Sequence, residues 1–305
     1  MVSIIIPAYN GEKVIEGCLD SVLVSSKGHD YEILIIDDAS TDRTREAVGK
    51  YIGNNIALLV NARNLGFAKT VKKGLAAAKG DIIILLNMDT VVEHGWLKGL
   101  IEPLMRNGKI GITGSKMLFI DSDDIKHAGG YLNETGLSYH IGAGNRDNGQ
   151  YEEEREVQYV CGASLACRKD ILKRLGGIDT GYSPMYYEEI DMAYKFRKAG
   201  YKVIYVPYSR LRHYEGYSAC SNRLNVFYFS SRNRLRYILK SYPPRRVLFG
   251  FIYHEIKYFL RVDIRKKLYL LRAYMYTIFK IPEILLTRLK EEVLIRVLRL
   301  ERKYL

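Results

Sequence analysis

Residues 2–10 read Val2-Ser3-Ile4-Ile5-Ile6-Pro7-Ala8-Tyr9-Asn10, a short apolar run stopped by a proline, a small residue and a polar turn. A run this short, bounded by turn residues, is a buried parallel strand rather than a helix, and Val2–Pro7 is assigned as one. The design recurs. Tyr31–Ile36 stops at Asp37-Asp38, and the fully apolar Asp81–Leu86 stops at Asn87-Met88-Asp89. Ile56–Leu59 is another strand. Between these runs the period changes: Val14, Cys18, Leu19 and Val22 recur at helical spacing within 13–25, Ser40-Thr41-Asp42 can cap a helix through Lys50, and the Ala- and Lys-rich 67–79 is helical. Strands alternating with helices predict an α/β fold built on an open, mostly parallel sheet.

Further along, 110–120 and 158–167 read as strands, and Lys202–Val206 as a strand capped by Pro207. Asp170–Leu175 reads as a short helix closed by Gly176-Gly177, and Glu188–Ala199 as a helix ending at Gly200. The polar, glycine-rich 142–156 is long enough for a mobile or functional loop. In an open parallel sheet, ligands bind outside the carboxyl ends of the strands, where Asp37, Asp38 and Asp89 are expected. Asp37 reads equally well as a turn or cap residue. Glu188, Glu189 and Asp191 open a helix after an aromatic run, and a helix N-terminus stabilises carboxylates.

Four strings, Val-Ser-Ile-Ile-Ile-Pro-Ala-Tyr-Asn-Gly from residue 2, Ile-Ile-Asp-Asp-Ala-Ser-Thr-Asp from 35, Leu-Leu-Asn-Met-Asp-Thr from 85 and Tyr-Glu-Glu-Ile-Asp-Met from 187, follow in the order seen in the second family of inverting glycosyltransferases, which the chain resembles over roughly residues 2–217. The branch it looks most like contains bacterial rhamnosyl- and galactofuranosyl-transferases, by Arg63-Asn64-Leu65-Gly66-Phe67-Ala68, Leu175-Gly176-Gly177-Ile178-Asp179 and His213. The resemblance implies a GT-A-type, Rossmann-like, mostly parallel mixed sheet flanked by helices. It implies that Pro7, Ala8 and Tyr9 line a base pocket, that Asp38 bonds the pyrimidine or ribose, and that Asn64 and Gly66 lie beside the donor diphosphate. Asn87 replaces the first carboxylate of the family's Asp-any-Asp motif and keeps a ribose or water contact. Asp89 is the metal contact, with His213 in Leu211-Arg212-His213-Tyr214-Glu215-Gly216 as second ligand to Mn²⁺ or Mg²⁺, the imidazole favouring Mn²⁺. The base aligns with Glu189, where most relatives have Asp; Asp191 is the alternative. Lys72 stands where the branch often has Asn and is close enough in sequence to reach the diphosphate. Trp96, Gly162, Ala163 and Glu188 resemble acceptor-side positions. The implied donor is a nucleoside-diphosphate sugar, dTDP-rhamnose first and a UDP-sugar second, and the acceptor a lipid-linked or cell-envelope glycan.

The 305 residues carry a net charge of +13, and +9 of it lies in 241–305, with 15 Lys and Arg against 6 Asp and Glu. A boundary near 215–242 divides a catalytic region, 1–235, from a basic helical tail, 236–305. Leu285, Leu289, Val293, Val297 and Leu300 form one helical line; Arg288, Glu292, Arg296, Arg299 and Lys303 form the opposite one. Aliphatic and aromatic residues between basic ones suit an anionic lipid surface better than nucleic acid. The alternative is a hairpin packed on the catalytic region or on another subunit of a homo-oligomer. No 18-residue uncharged apolar run exists, and no basic n-region precedes Ile4, so the expectation is an intracellular enzyme, peripheral on the inner face of the plasma membrane. Cys18, Cys161, Cys167 and Cys220 have neither zinc spacing nor a C-x-x-C pair and are expected as reduced thiols. Two other classes compete: a non-catalytic glycan- or membrane-binding module of the same fold, and a nucleotidyltransferase. The second lacks its Gly-rich basic loop, since Ala8-Tyr9-Asn10-Gly11-Glu12 has no Lys before Lys13.

Overall fold

The computed structural model describes residues 1–214 and 223–302. Glu215, Gly216, Cys220 and Lys303 lie outside the described residues. The chain opens with β1 (Val2–Ala8), α1 (Ile15–Ser25), β2 (Tyr31–Asp37), α2 (Thr44–Gly49), β3 (Ile56–Val60), α3 (Phe67–Ala77) and β4 (Ile82–Leu86). β1 lies between β2 and β4, all three parallel, and β3 extends the parallel set beyond β2. In this register Ala8 stands beside Asp37 and Asp37 beside Val60, so the predicted acidic ends share one edge. Asp42, just ahead of α2, accepts the Thr44 amide at 3.0 Å, while the cap position itself is Arg43.

The second half was only partly foreseen. β5 (Thr90–Val92) and α4 (Trp96–Arg106) precede β6 (Ile110–Phe119), β7 (Ile125–His127), the hairpin β8 (Gly130–Leu132) and β9 (Ser138–His140), β10 (Arg155–Glu156) and β11 (Ser164–Arg168). The strand expected over 158–167 is therefore mostly irregular, forming only at its end, where β11 inserts antiparallel between β4 and β6. After α5 (Lys169–Arg174) and α6 (Glu188–Lys198) comes β12 (Lys202–His213). Pro207 does not end it. A register shift against β6 between Val206 and Arg210 absorbs the proline, and the strand continues to pair with β5. The stretch 142–156 is not free of anchors: the ammonium of fully buried Lys116 on β6 bonds Asp147 at 2.7 Å and pairs with Glu152.

Alternate residues of β1 serve opposite layers, as a strand buried on both faces requires. Ile4 and Ile6 pack with Leu19, Val22 and Leu100 on one side; Ile5 packs with Ile36 and Val71 on the other.

The rest is helical: α7 (Arg223–Ser241), α8 (Pro244–Arg246), a π turn over Val247–Phe251, α9 (Ile252–Arg261) and α10 (Ile264–Glu301). Pro243-Pro244 separates α7 from α8, whereas α10 runs through Pro282 without a break. α7 is continuous across residue 235 and supplies buried side chains from Tyr228 to Ser241. α10 packs back on it: Arg288 donates to the carbonyls of Leu239 and Tyr242 at 3.0 and 2.7 Å. No helix among the described residues is long and apolar enough to cross a membrane.

Candidate active site

Asp38 follows the last residue of β2 and is buried; its amide donates to Ala8 O at 2.7 Å. One oxygen of its carboxylate accepts from Asn61 Nδ2 at 2.8 Å and Leu65 N at 2.9 Å, and the other from Gly66 N at 2.8 Å. It is the organiser of the loop 61–66, with Asn64 Oδ1 also accepting from Gly66 N at 3.2 Å. Asn61 follows β3 as Asp38 follows β2, so the strand-end rule could have flagged it. Asp37 serves the turn, its carboxylate accepting from Ser40 N at 3.2 Å. Pro7, Ala8 and Tyr9 lie at the end of β1, and Tyr9 is exposed. Gly66 has φ 79°, and a β-carbon there would sit 2.5 Å from Pro184 Cα. The close approach that requires glycine is thus to the chain itself rather than to the diphosphate expected there. Lys72 is exposed on α3, while its neighbour Lys73 donates to Val60 O at 2.6 Å and Asn61 Oδ1 at 2.9 Å.

The end of β4 delivers Asn87 and Asp89. Asn87 N donates to Ala163 O at 3.0 Å, and Asp89 is fully buried. β5 pairs with β12 so that Thr90 faces His213, which brings His213 Nε2 to 3.4 Å from Asp89 Oδ1. Lys126 Nζ stands 2.6 Å from His213 Nδ1; nothing in its surroundings in sequence announces it. A carboxylate oxygen and an imidazole nitrogen aimed at each other in a half-enclosed position are a fitting donor pair for Mn²⁺ or Mg²⁺. A second acidic group, Asp179, Asp191 and Glu291, does not fit a metal. Its centre is filled by Lys240 Nζ, 2.9, 2.7 and 2.9 Å from the three carboxylates, with Lys195 Nζ 3.5 Å from Asp191 and Glu291.

Glu189 and Asp191 are two residues apart on α6 and so point to opposite sides. Asp191 turns to Lys240 and accepts from Tyr182 OH at 3.1 Å. Glu189 lies against Gly162, where an added β-carbon would be 3.4 Å from Glu189 Cβ. Burial raises its carboxyl to about 7. Burial and the Glu189 charge push Glu188 well above the ordinary carboxyl range. Burial, with Glu189 next and Asp89 weaker, also raises the Cys161 thiol to about 12, so the carboxylates of α6 and of the β4 end act on one spot. Two acceptor-side expectations need correction. Trp96 is fully buried and its indole donates to Ser164 Oγ at 2.9 Å, which makes it a core residue; Glu188 is buried as well. Gly162 lies against Glu189, and Ala163 O accepts the Asn87 amide.

The Glycosyl transferase family 2 model matches residues 3–176. Among relatives, an uncharacterized protein, y4gI, of Sinorhizobium fredii is 26% identical over 227 residues, 72% of this chain and 25% of its own length. The poly-beta-1,6-N-acetyl-D-glucosamine synthase of Staphylococcus aureus is 27% identical over 212 residues, 68% of this chain and 48% of its own. The chain thus spans a quarter to a half of these two relatives. The crystal structure of GalNAc-T7 with UDP, GalNAc and Mn²⁺ superposes with a TM-score of 0.66 at 20% identity, covering 90% of this chain and 54% of that one, which identifies the fold as GT-A. A family match over more than half the residues, on a sheet whose carboxyl edge gathers the expected strand ends, makes this chain a member of glycosyltransferase family 2.

Proposed function

We propose that the chain is an inverting glycosyltransferase that moves a sugar from dTDP-rhamnose or a UDP-sugar to a hydroxyl of a lipid-linked or cell-envelope glycan. The branch follows the strings at residues 63–68 and 175–179. The observation that carries the mechanism is Glu189: a carboxyl raised to about 7, at a helix start, facing the edge where Asp38, Asn87 and Asp89 end their strands. In a single displacement the acceptor oxygen attacks the anomeric carbon from the face opposite the diphosphate. The anomeric C–O bond to phosphate breaks, the pair leaves on the diphosphate, and the acceptor proton goes to the Glu189 carboxylate. Asp191, held by Lys240 and Tyr182, is a framework residue in this reading. Asp38 shapes the donor pocket through the loop 61–66, and Tyr9 is exposed at its rim. Asp89 and His213 would hold Mn²⁺ or Mg²⁺, which would supply charge neutralisation for the leaving diphosphate.

The acceptor side is placed at an anionic membrane on the cytoplasmic face. Support comes from the π turn, α9 and α10, whose outward residues include Phe249, Ile256, Leu268, Phe279, Leu289 and Val293, all more than half exposed. Exposed Arg261, Arg265 and Lys266 stand at the corner between the two helices. An apolar ridge with basic flanks matches lipid chains and anionic headgroups together.

The test is incubation of the full chain with a panel of thymidine- and uridine-linked sugars and Mn²⁺, measuring nucleoside diphosphate release. Release with one donor, abolished in Asp89→Ala and in EDTA, is expected. No release across the panel identifies a non-catalytic module instead, and full activity in EDTA removes the metal from the reading.

A further inference from the structure

The loop 183–187 that enters α6 holds an unfavourable shape: Tyr186 and Tyr187 have φ of 78° and 74°, which non-glycine residues adopt only when their surroundings impose it. The imposing group comes from α7. Asn233, fully buried, directs its amide nitrogen at three carbonyls, Tyr182 at 2.6 Å, Met185 at 2.7 Å and Tyr186 at 2.9 Å. Its amide oxygen accepts from Arg232 Nε and Nη2 at 3.0 and 2.9 Å. That guanidinium also donates to the Tyr182 and Ser183 carbonyls and lies 5.1 and 4.9 Å from the ring centres of Phe229 and Tyr276. On its other side the loop meets the donor half: Phe67 N donates to Pro184 O at 2.7 Å, and Gly66 abuts the same proline. At its end, Tyr187 OH donates to Gly136 O at 2.7 Å, and Tyr187 O accepts the Asp191 amide in the first turn of α6.

One buried pair thus holds a segment that touches the start of α3 and sets where α6 begins. We infer that Arg232 and Asn233 are positioning residues for transfer: by holding 182–187 they fix Glu189 toward the cleft and dock α3 at the donor side. This rests on the reading of Glu189 as base. Both side chains are buried, and in this reading they act only through the loop. Small displacements of a base weaken catalysis far more than binding, because a near-attack arrangement tolerates little misplacement.

The experiment compares Asn233→Leu, similar in volume but without the donors, with Arg288→Met, which loosens α7 from α10 away from the loop. For Asn233→Leu, kcat should fall on the order of 10- to 100-fold with donor KM within about threefold of wild type. Amide exchange should quicken at Phe67 and Asp191, while amides of α7 stay protected. Arg288→Met should lower Tm and keep kcat. If kcat falls in both variants in step with Tm, or if Asn233→Leu keeps wild-type kcat, the pair is ordinary packing and the inference fails. Should Asn233→Leu not fold, Arg232→Lys, which keeps the charge and loses the forked donors, is read for the same split between kcat and KM. Exchange needs no substrate, so it separates two failures. A wild-type chain inactive with every donor defeats the transferase reading, and unchanged loop exchange in Asn233→Leu defeats the clamp.

Discussion

A carboxyl whose proton leaves near neutral pH is matched to taking a proton from a hydroxyl as its oxygen attacks, which is the role proposed for Glu189. The neighbouring Glu188 is also pushed well above the ordinary carboxyl range, by burial first and then by the Glu189 charge. The active form has Glu189 ionised, so kcat should rise with pH and reach half its plateau near 7 rather than near the ordinary value of 4.5. Glu189→Gln should lower kcat by roughly 10²-fold or more with donor affinity retained and the limb near pH 7 gone. Measured pH–rate profiles of both proteins check this; loss in Asp191→Asn with an unchanged Glu189→Gln would move the base to Asp191. The sequence placed Glu189 and Asp191 in the first turn of one helix, where both suit the N-terminus, and only the family resemblance favoured Glu189 over Asp191. The opposite faces of α6 separate them, one meeting Gly162 and the other Lys240.

Among elements, β6 shows how a strand can fix a loop that its own sequence would leave open. Lys116 is fully buried there, and Asp147 and Glu152 from the polar stretch 142–156 close on its ammonium. Removing one partner leaves buried charge uncompensated, which costs several kcal/mol when the pair is dry. Glu152 is nearly half exposed and Arg210 still reaches Asp147, so Lys116→Met should cost less, about 2 kcal/mol. Urea unfolding gives the energy, and faster proteolysis within 142–156 locates the loosened element; an unchanged midpoint would show that Arg210 alone suffices. The helical and parallel-strand elements of the first half were legible because their periods are clean. β5 and β10 are two or three residues long, and β12 carries a proline that reads as a stop. Their pairing comes from neighbours distant in the chain, a signal no local window holds.

At the scale of the molecule, the tail has two faces with opposite fates. Ile284, Glu291, Ile295 and Leu298 of α10 are turned inward, Glu291 joining Lys240 and Lys195, while the line Leu285, Leu289, Val293, Val297 and Leu300 is exposed. α9 is tied in from inside by Arg234, which grips Glu255 with two bonds of 2.8 and 2.6 Å. An outward apolar line along a helix of roughly 57 Å is the shape of a surface that lies in a lipid interface. The full chain should sediment with phosphatidylglycerol-containing vesicles at low salt and less at 0.5 M, since attraction to headgroups is screened over about 8–10 Å at moderate ionic strength. Replacing Phe249, Phe279 and Leu289, 82%, 77% and 60% exposed, by serine should abolish sedimentation without lowering Tm. Unchanged vesicle binding would clear the ridge of that role, and a smaller particle size would make it a subunit interface.

The sequence by itself determined the parallel strands, the edge they share and the family, because strand length, apolar content and the turn residues at strand ends are local properties. It also nominated Asp89, Glu189 and His213. Only the tertiary structure decided which of these meet. His213 reaches Asp89 because β12 bulges past Pro207 and goes on to pair with β5, and Glu189 faces Gly162 because the loop before α6 sets the rotation of that helix. It also decided that α10 buries a third line, Ile284, Glu291, Ile295 and Leu298, and leaves the leucine line exposed. Helical period offers several lines, but burial goes to the one whose single charge, Glu291, finds partners, and those partners, Lys195 and Lys240, stand on other helices.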